Sequence, residues 1–243
     1  MTNVFLLAGQ SNMVGGGTVA ELPESLRTAP PTVRLYEDGA WRELTWREQF
    51  GPEVGFAHAV TKRMGAEPIV LVKVAVGGAN LRYDWNPDGV SRGDEDAYRG
   101  PFYPRLTAAV AEVASHLAGE PFHYEALLWM QGERDSVFES MARVYEASLA
   151  GLVAAVRRDT GRADLPALIA QVAPRRYDLH ADRFSHAWRH LVWDAQRRYA
   201  AVDPHAVYIE TLDLPQFDNL HFDAAGQLLL GRRFAEAYLG ESA

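Results

Sequence analysis

The feature that most limits the fold of this chain is a series of short, continuously apolar runs rich in β-branched residues. Val4–Ala8 is the first. Pro68–Ala75 (PIVLVKVA), Tyr124–Met130 (YEALLWM), Ala167–Ala173 (ALIAQVA) and Ala206–Glu210 (AVYIE) follow. They lack the clean apolar–polar alternation of a strand with one face in water. Runs of this kind suit parallel strands covered on both faces. The segments between them carry helical spacing. Tyr145, Leu149, Leu152, Val153 and Val156 follow i, i+4, i+7, i+8, i+11 and make one apolar stripe. Leu230, Phe234 and Tyr238 repeat the pattern, and residues 54–66, 104–118 and 183–200 carry weaker versions. Strands alternating with helices through right-handed crossovers predict a three-layer α/β/α sandwich around a central, mostly parallel sheet.

Two stretches break the alternation. Residues 32–46 place Asp38-Gly39 between two short strand-like pieces, which predicts a small hairpin. Residues 80–103 form a long polar loop with Tyr83, Trp85, Arg92 and Arg99, and a loop of that length in a compact domain is often functional. No repeat, low-complexity tract or linker interrupts residues 1–243, so a single domain is expected.

Composition removes several classes of function. The chain has no cysteine, which excludes disulfides, thiolate metal sites and a cysteine nucleophile. A formal charge of −8 argues against a nucleic-acid partner, which needs a basic face. No run approaches the roughly 20 apolar residues of a membrane span, so no membrane partner is expected. The N-terminus has no early Lys or Arg and its apolar run stops at Ala8, so the reading is a cytoplasmic protein without a signal peptide.

In an open parallel sheet, ligands bind at the carboxyl ends of the strands. Four polar clusters follow the apolar runs: Gly9-Gln10-Ser11-Asn12-Met13, Val76-Gly77-Gly78-Ala79-Asn80, Gln131-Gly132-Glu133-Arg134-Asp135 and Asp218-Asn219-Leu220-His221. Taken singly, each has an ordinary explanation: a helix cap, a turn, a loop hydrogen bond, a structural histidine. Their shared position at one sheet edge is what points to chemistry. A serine at a strand–helix turn is a weak nucleophile until a histidine takes its proton, and an aspartate then holds the imidazole tautomer. Asp218 and His221 are three residues apart, close enough for the carboxylate to reach the ring. Ser11 N–H, Gly78 N–H and the Gln131 side-chain amide would supply three donors to an oxyanion.

The blocks GQSNM, VGGANL, WMQGERD and DNLHFD together resemble those of the SGNH hydrolases, in the branch with GQSN in place of GDS. That branch holds the sialate O-acetylesterase-like domains and the carbohydrate esterases of family 6. The resemblance runs from residue 5 to about residue 225. It implies a flavodoxin-like α/β/α fold and a serine esterase that removes acetyl groups from sugars. By motif position it implies Ser11 as nucleophile, His221 as base, Asp218 as its partner, and Ser11, Gly78 and Gln131 as oxyanion donors. The usual QGESD reads QGERD here, and GGT reads Gly77-Gly78-Ala79-Asn80.

The remaining candidates divide between support and substrate contact. Gln10, Asn12, Gly77, Asn80, Trp85, Glu133 and Arg134 are expected to orient the loops or touch substrate. Glu133 is read as a loop-orienting carboxylate and Asp135 as the N-cap of the next helix. Trp85 and Tyr83 would either stack on a sugar or pin their own loop. Arg134 would either grip a substrate carboxylate or form a surface ion pair of little energetic value. His186 and His190 have i, i+4 spacing without a third ligand, and no metal or organic cofactor is expected. The substrate expected is a small-molecule or oligosaccharide acyl ester. Three rival readings remain at this stage: a non-hydrolytic carbohydrate-binding module, a short-chain lipase or thioesterase-like hydrolase, and a metal-dependent hydrolase using Asp218, His221 and Glu133.

Overall fold

The run that begins at Val4 becomes the central strand of the molecule. The computed structural model describes residues 1–88, 102–174 and 186–241. Among these the strands are β1 (Thr2–Gly9), β2 (Gly17–Thr18), β3 (Val33–Glu37), β4 (Ala40–Arg42), β5 (Gln49–Phe50), β6 (Ile69–Ala75), β7 (Phe122–Met130), β8 (Ala167–Ala170) and β9 (Ala206–Ile209). The α-helices are α1 (Ser11–Val14), α2 (Glu24–Arg27), α3 (Pro52–Met64), α4 (Phe102–His116), α5 (Glu139–Ala142), α6 (Tyr145–Thr160), α7 (Arg189–Val202) and α8 (Ala224–Leu239).

Seven strands pair in the order β4-β3-β6-β1-β7-β8-β9, while β2 and β5 form a separate two-stranded piece. Every pairing in the large sheet is parallel except β3 with β4. All eight residues of β1 are buried, because each face has its own helical layer. Val4, Leu6 and Ala8 pack with Leu106 and Val113 of α4, Leu149 and Val153 of α6, and Val192 of α7. Phe5 and Leu7 pack with Val54 and Phe56 of α3 and Leu230 and Phe234 of α8. The result is a three-layer α/β/α sandwich, as the uninterrupted apolar runs predict.

The hairpin forms where expected. Asp38 and Gly39 both take left-handed φ values, 51° and 70°, and Glu37 pairs with Ala40. It is not a separate unit: Val33 pairs with Ile69, so the hairpin extends the main sheet at its edge. Helix α3 starts two residues earlier than its periodicity suggests, because Pro52 has the φ a first helical residue needs and no N–H to leave unpaired. Helix α4 likewise begins at Phe102. Helix α7 begins at Arg189; residues 183–185 of its expected span lie outside the described residues. So do Arg92 and Arg99 of the long loop.

Candidate active site

The carboxyl ends of β1, β6 and β7 meet at the same edge. β1 ends on Gly9, with φ +156° and Met130 O 2.0 Å from where a Cβ would stand. Only glycine lets the chain turn here, and the turn makes Ser11 the first residue of α1. Ser11 is half-buried. The loop after β9 brings His221 to it: His221 Nε2 lies 3.1 Å from Ser11 Oγ. His221 Nδ1 lies 2.8 Å from Asp218 Oδ2. The other oxygen, Asp218 Oδ1, accepts from the N–H groups of Leu220 at 2.7 Å and His221 at 2.6 Å. Burial pushes the Asp218 carboxyl up, but these hydrogen bonds outweigh it and leave its pKa below the ordinary value. Asp218 is therefore ionised and accepts from Nδ1–H, which leaves the Nε2 lone pair facing the Ser11 hydroxyl.

A cavity of about 350 Å³ opens beside Ser11. Its walls are Gln10, Ser11, Gly77, Gly78, Glu133, Arg134, Val137, His186, Leu220 and His221. Gly78 takes φ 64°, a conformation glycine adopts at little cost. Among the described residues, neither Ser11 N–H nor Gly78 N–H donates to a backbone carbonyl.

Gln131 departs from the expectation. Its side chain is fully buried and is absent from the cavity wall. Its Nε2 donates to Asp135 Oδ2 at 2.6 Å and Ala79 O at 2.9 Å, and lies 3.1 Å from Gln10 Oε1. Its Oε1 accepts from Tyr145. The amide braces the loop after β6, and in this arrangement its Nε2 hydrogens have acceptors away from the cavity. Asp135 departs as well. The short 3₁₀ turn at Asp135–Val137 has no side-chain cap. Asp135 instead reaches across to accept from Leu81 N–H at 2.9 Å and Arg82 N–H at 3.3 Å. Burial raises its carboxyl to about 6 despite those donors.

The other candidates are mostly supports. Gln10 Oε1 accepts from the N–H groups of Gly132 and Arg134, both at 3.2 Å. Asn12 Nδ2 donates to Glu133 Oε1 at 2.6 Å and Leu220 O at 2.9 Å, and its Oδ1 accepts from Phe222 N–H at 3.0 Å. Glu133 is 1% exposed, and burial raises its pKa against the pull of the Asn12 hydrogen bond. Asp218 and Glu133 thus sit on different partners rather than around a common ligand point. Asn80 binds Asp84 Oδ2 through its Nδ2 and Tyr83 N–H through its Oδ1, which shapes the loop. Trp85 is fully buried, edge-on to Trp129 with centroids 5.4 Å apart, so it is core and not a sugar platform. Tyr83 lies under the Arg82 guanidinium. Arg134 lines the cavity with its guanidinium 5.2 Å from the Phe138 ring centre.

Two contributors are not assigned to the site by the sequence, where His186 figures only in a rejected metal-ligand pair. His186 lines the cavity, with Nδ1 2.8 Å from Glu133 O and 2.9 Å from Ser136 Oγ. Lys73, in the apolar strand β6, is buried and donates to Glu53 Oε2 at 2.7 Å and to Val14 O, at the end of α1, at 3.0 Å. A lysine inside a continuous apolar run is itself the signal that could have found it, since a buried ammonium requires paired partners.

With this geometry in hand, known proteins give the class. The family described as "Carbohydrate esterase, sialic acid-specific acetylesterase" matches residues 1–240, so the protein is a carboxylic ester hydrolase. The chain belongs to that family. A protein of Arabidopsis thaliana named "Probable carbohydrate esterase" is 28% identical over 261 residues, covering 97% of this chain and 90% of the relative. The crystal structure of an Arabidopsis thaliana protein superposes with a TM-score of 0.78 at 23% identity, covering 98% of each chain. A carbohydrate acetylesterase of Xanthomonas citri superposes with a TM-score of 0.69 at 19% identity, covering 99% of this chain and 57% of that one. The structure of NanS gives 0.73 at 15% identity, covering 98% and 97%. At these identities the superpositions speak for the fold. Among the described residues no helix is long and apolar enough to cross a membrane.

Proposed function

We propose that this protein releases acetate from acetylated carbohydrates, with Ser11 as nucleophile, His221 as general base and acid, and Asp218 as the carboxylate that holds the imidazole. The observation that carries the proposal is the single imidazole spanning Ser11 Oγ at 3.1 Å and Asp218 Oδ2 at 2.8 Å. Nε2 takes the Ser11 proton as Oγ attacks the acetyl carbonyl carbon, and Asp218 stabilises the imidazolium. The carbonyl oxygen becomes an oxyanion, and Ser11 N–H and Gly78 N–H donate to it. The C–O bond to the sugar then breaks, and His221 gives its proton to the departing hydroxyl. Water attacks the acetyl-serine with His221 again as base; the bond between Ser11 Oγ and the acyl carbon then breaks, His221 returns the proton to Oγ, and acetate leaves.

The test is acetate release from acetylated pyranosides, xylan fragments and sialic acids. Hydrolysis should survive chelator and stop with a serine-reactive phosphonate, whose adduct maps to Ser11. Ser11→Ala should fold and lose about 10³-fold or more in kcat. An active Ser11→Ala, or an adduct on another residue, refutes the assignment.

A further inference from the structure

Phe217 is 59% exposed, yet its ring is held in place on two sides. It lies nearly parallel to the His221 imidazole, at an interplanar angle of 14° with centroids 5.8 Å apart. It also rests against Gly16, where an added Cβ would meet Phe217 Cε1 at 2.8 Å. The chain beneath it is fixed as well. Phe217 N–H donates to His221 O at 3.1 Å, and Gln216 pairs with Phe222 in an isolated bridge. Trp46 is the other strongly exposed aromatic among the described residues, but the guanidinium groups of Arg42 and Arg47 lie 4.4 and 4.6 Å from its ring centre. Among the described residues, Phe217 alone combines an open aromatic surface with a fixed position beside a reacting group.

An ordered ring left in water forgoes the stabilisation its burial would bring. The esterase reading above, on which this inference rests, supplies a reason. His221 must protonate the leaving hydroxyl, so the sugar that bears it sits against His221 at bond cleavage. Val137 and Leu220 are the apolar residues of the cavity wall, and Phe217, stacked on that histidine but not part of that wall, offers the sugar an exposed apolar surface beyond it. A pyranose presents an apolar C–H face with slight positive character, which complements the negative face of an aromatic ring. We propose that Phe217 is the platform for the leaving-group sugar and makes the enzyme prefer acetyl esters of pyranoses to acetyl esters of small alcohols.

The test compares kcat and KM on an acetylated methyl pyranoside and on ethyl acetate, whose alcohol is too small to cover the ring. The measured quantity is the ratio of the two kcat/KM values. Phe217→Ala and Phe217→Leu should both lower that ratio by about three- to tenfold, mainly through KM on the pyranoside. Phe217→Tyr, which keeps the flat face, should preserve it. Thermal melting checks that each variant is folded. A ratio unmoved in Phe217→Ala, with kcat falling equally on both esters and a displaced pH profile, would mean that the ring only orients His221 and would overturn the proposal. A Phe217→Leu variant that keeps the ratio would overturn it too. Wild-type protein inert on both esters and unlabelled by phosphonate at Ser11 would instead bring down the esterase reading, and the platform with it.

Discussion

Asn12 holds the chain on both sides of His221. Its Nδ2 donates to Leu220 O at 2.9 Å, and its Oδ1 accepts from Phe222 N–H at 3.0 Å. Asn12 is also the residue after Ser11, so one side chain links the turn bearing the nucleophile to the loop bearing the base. Glu133 Oε1 takes the second Nδ2 proton and fixes the amide orientation. The 3.1 Å approach of Nε2 to Oγ therefore depends on a clasp that touches neither group.

Removing the clasp should separate geometry from chemistry. Asn12→Ala should lower kcat by roughly 10- to 100-fold, since small misplacements of reacting groups carry penalties of that size. It should also lower stability, because Leu220 O, Phe222 N–H and Glu133 lose a buried partner. Phosphonate labelling of Ser11 should slow in parallel with acetate release. Normal labelling and turnover would show that the two loops keep register without Asn12.

Gln131 calls for a prediction opposite to that of an oxyanion donor. Gln131→Ala would strip partners from Ala79 O and Asp135, both buried. Melting temperature should fall by roughly 4–10 °C, while kcat falls less than about tenfold. An unchanged melting temperature with a 10²- to 10³-fold loss of kcat would return Gln131 to the oxyanion site.

The contrast between Gln131 and Ser11 shows what a linear sequence can carry here. Strand positions were readable because parallel strands buried on both faces leave uninterrupted apolar runs, and the turns after them had to share one edge. Membership of the edge follows from topology alone, which is why the sequence places Ser11, Gly78 and His221 together there. The direction in which a side chain points within that edge does not. Gln131 turns toward Asp135 because Leu81, Arg82 and Ala79 present backbone groups there, a meeting across some 50 positions that no local spacing records. Trp85 keeps two readings in the sequence, a sugar platform or a pin for its own loop, for a similar reason. Its neighbours are polar, but the loop folds back so that the indole fills a gap over Trp129.

Lys73 offers a test of buried charge. Its ammonium meets Glu53 at 2.7 Å and Glu37 at 3.4 Å, and all three side chains are almost wholly buried. Glu37 also accepts from Arg47 and from Trp46 Nε1. Lys73→Met would strand Glu53 as an uncompensated buried carboxylate and should cost about 3–5 kcal/mol in urea unfolding. Because Lys73 also donates to Val14 O, kcat should fall with it. Adding Glu53→Gln should recover part of the stability but not the kcat. Full recovery of both by the double variant would show that the network does not position α1.

The last prediction concerns pH and rests on Asp135. Burial raises its carboxyl from an ordinary 3.8 to about 6 in the folded protein. A group whose folded pKa lies above its unfolded one binds protons more tightly when folded, so rising pH costs stability across that interval. The contribution is fully present below about pH 4, declines as pH rises through about 6, and is constant beyond it. Glu133, also raised by burial, acts in the same direction. Asp218, lowered by its hydrogen bonds to His221 and Leu220, acts the other way: its contribution is present above the ordinary carboxylate range and lost only as pH falls below it. Asp135→Asn cannot titrate, and its amide nitrogen faces N–H groups, so the variant should be less stable than the wild type at every pH. The deficit should shrink between pH 4 and pH 6.5, by something of the order of 1–2 kcal/mol in urea unfolding. Parallel stability profiles for the two proteins over that range would mean that Asp135 keeps an ordinary carboxylate pKa when folded, and that its backbone donors fully offset its burial.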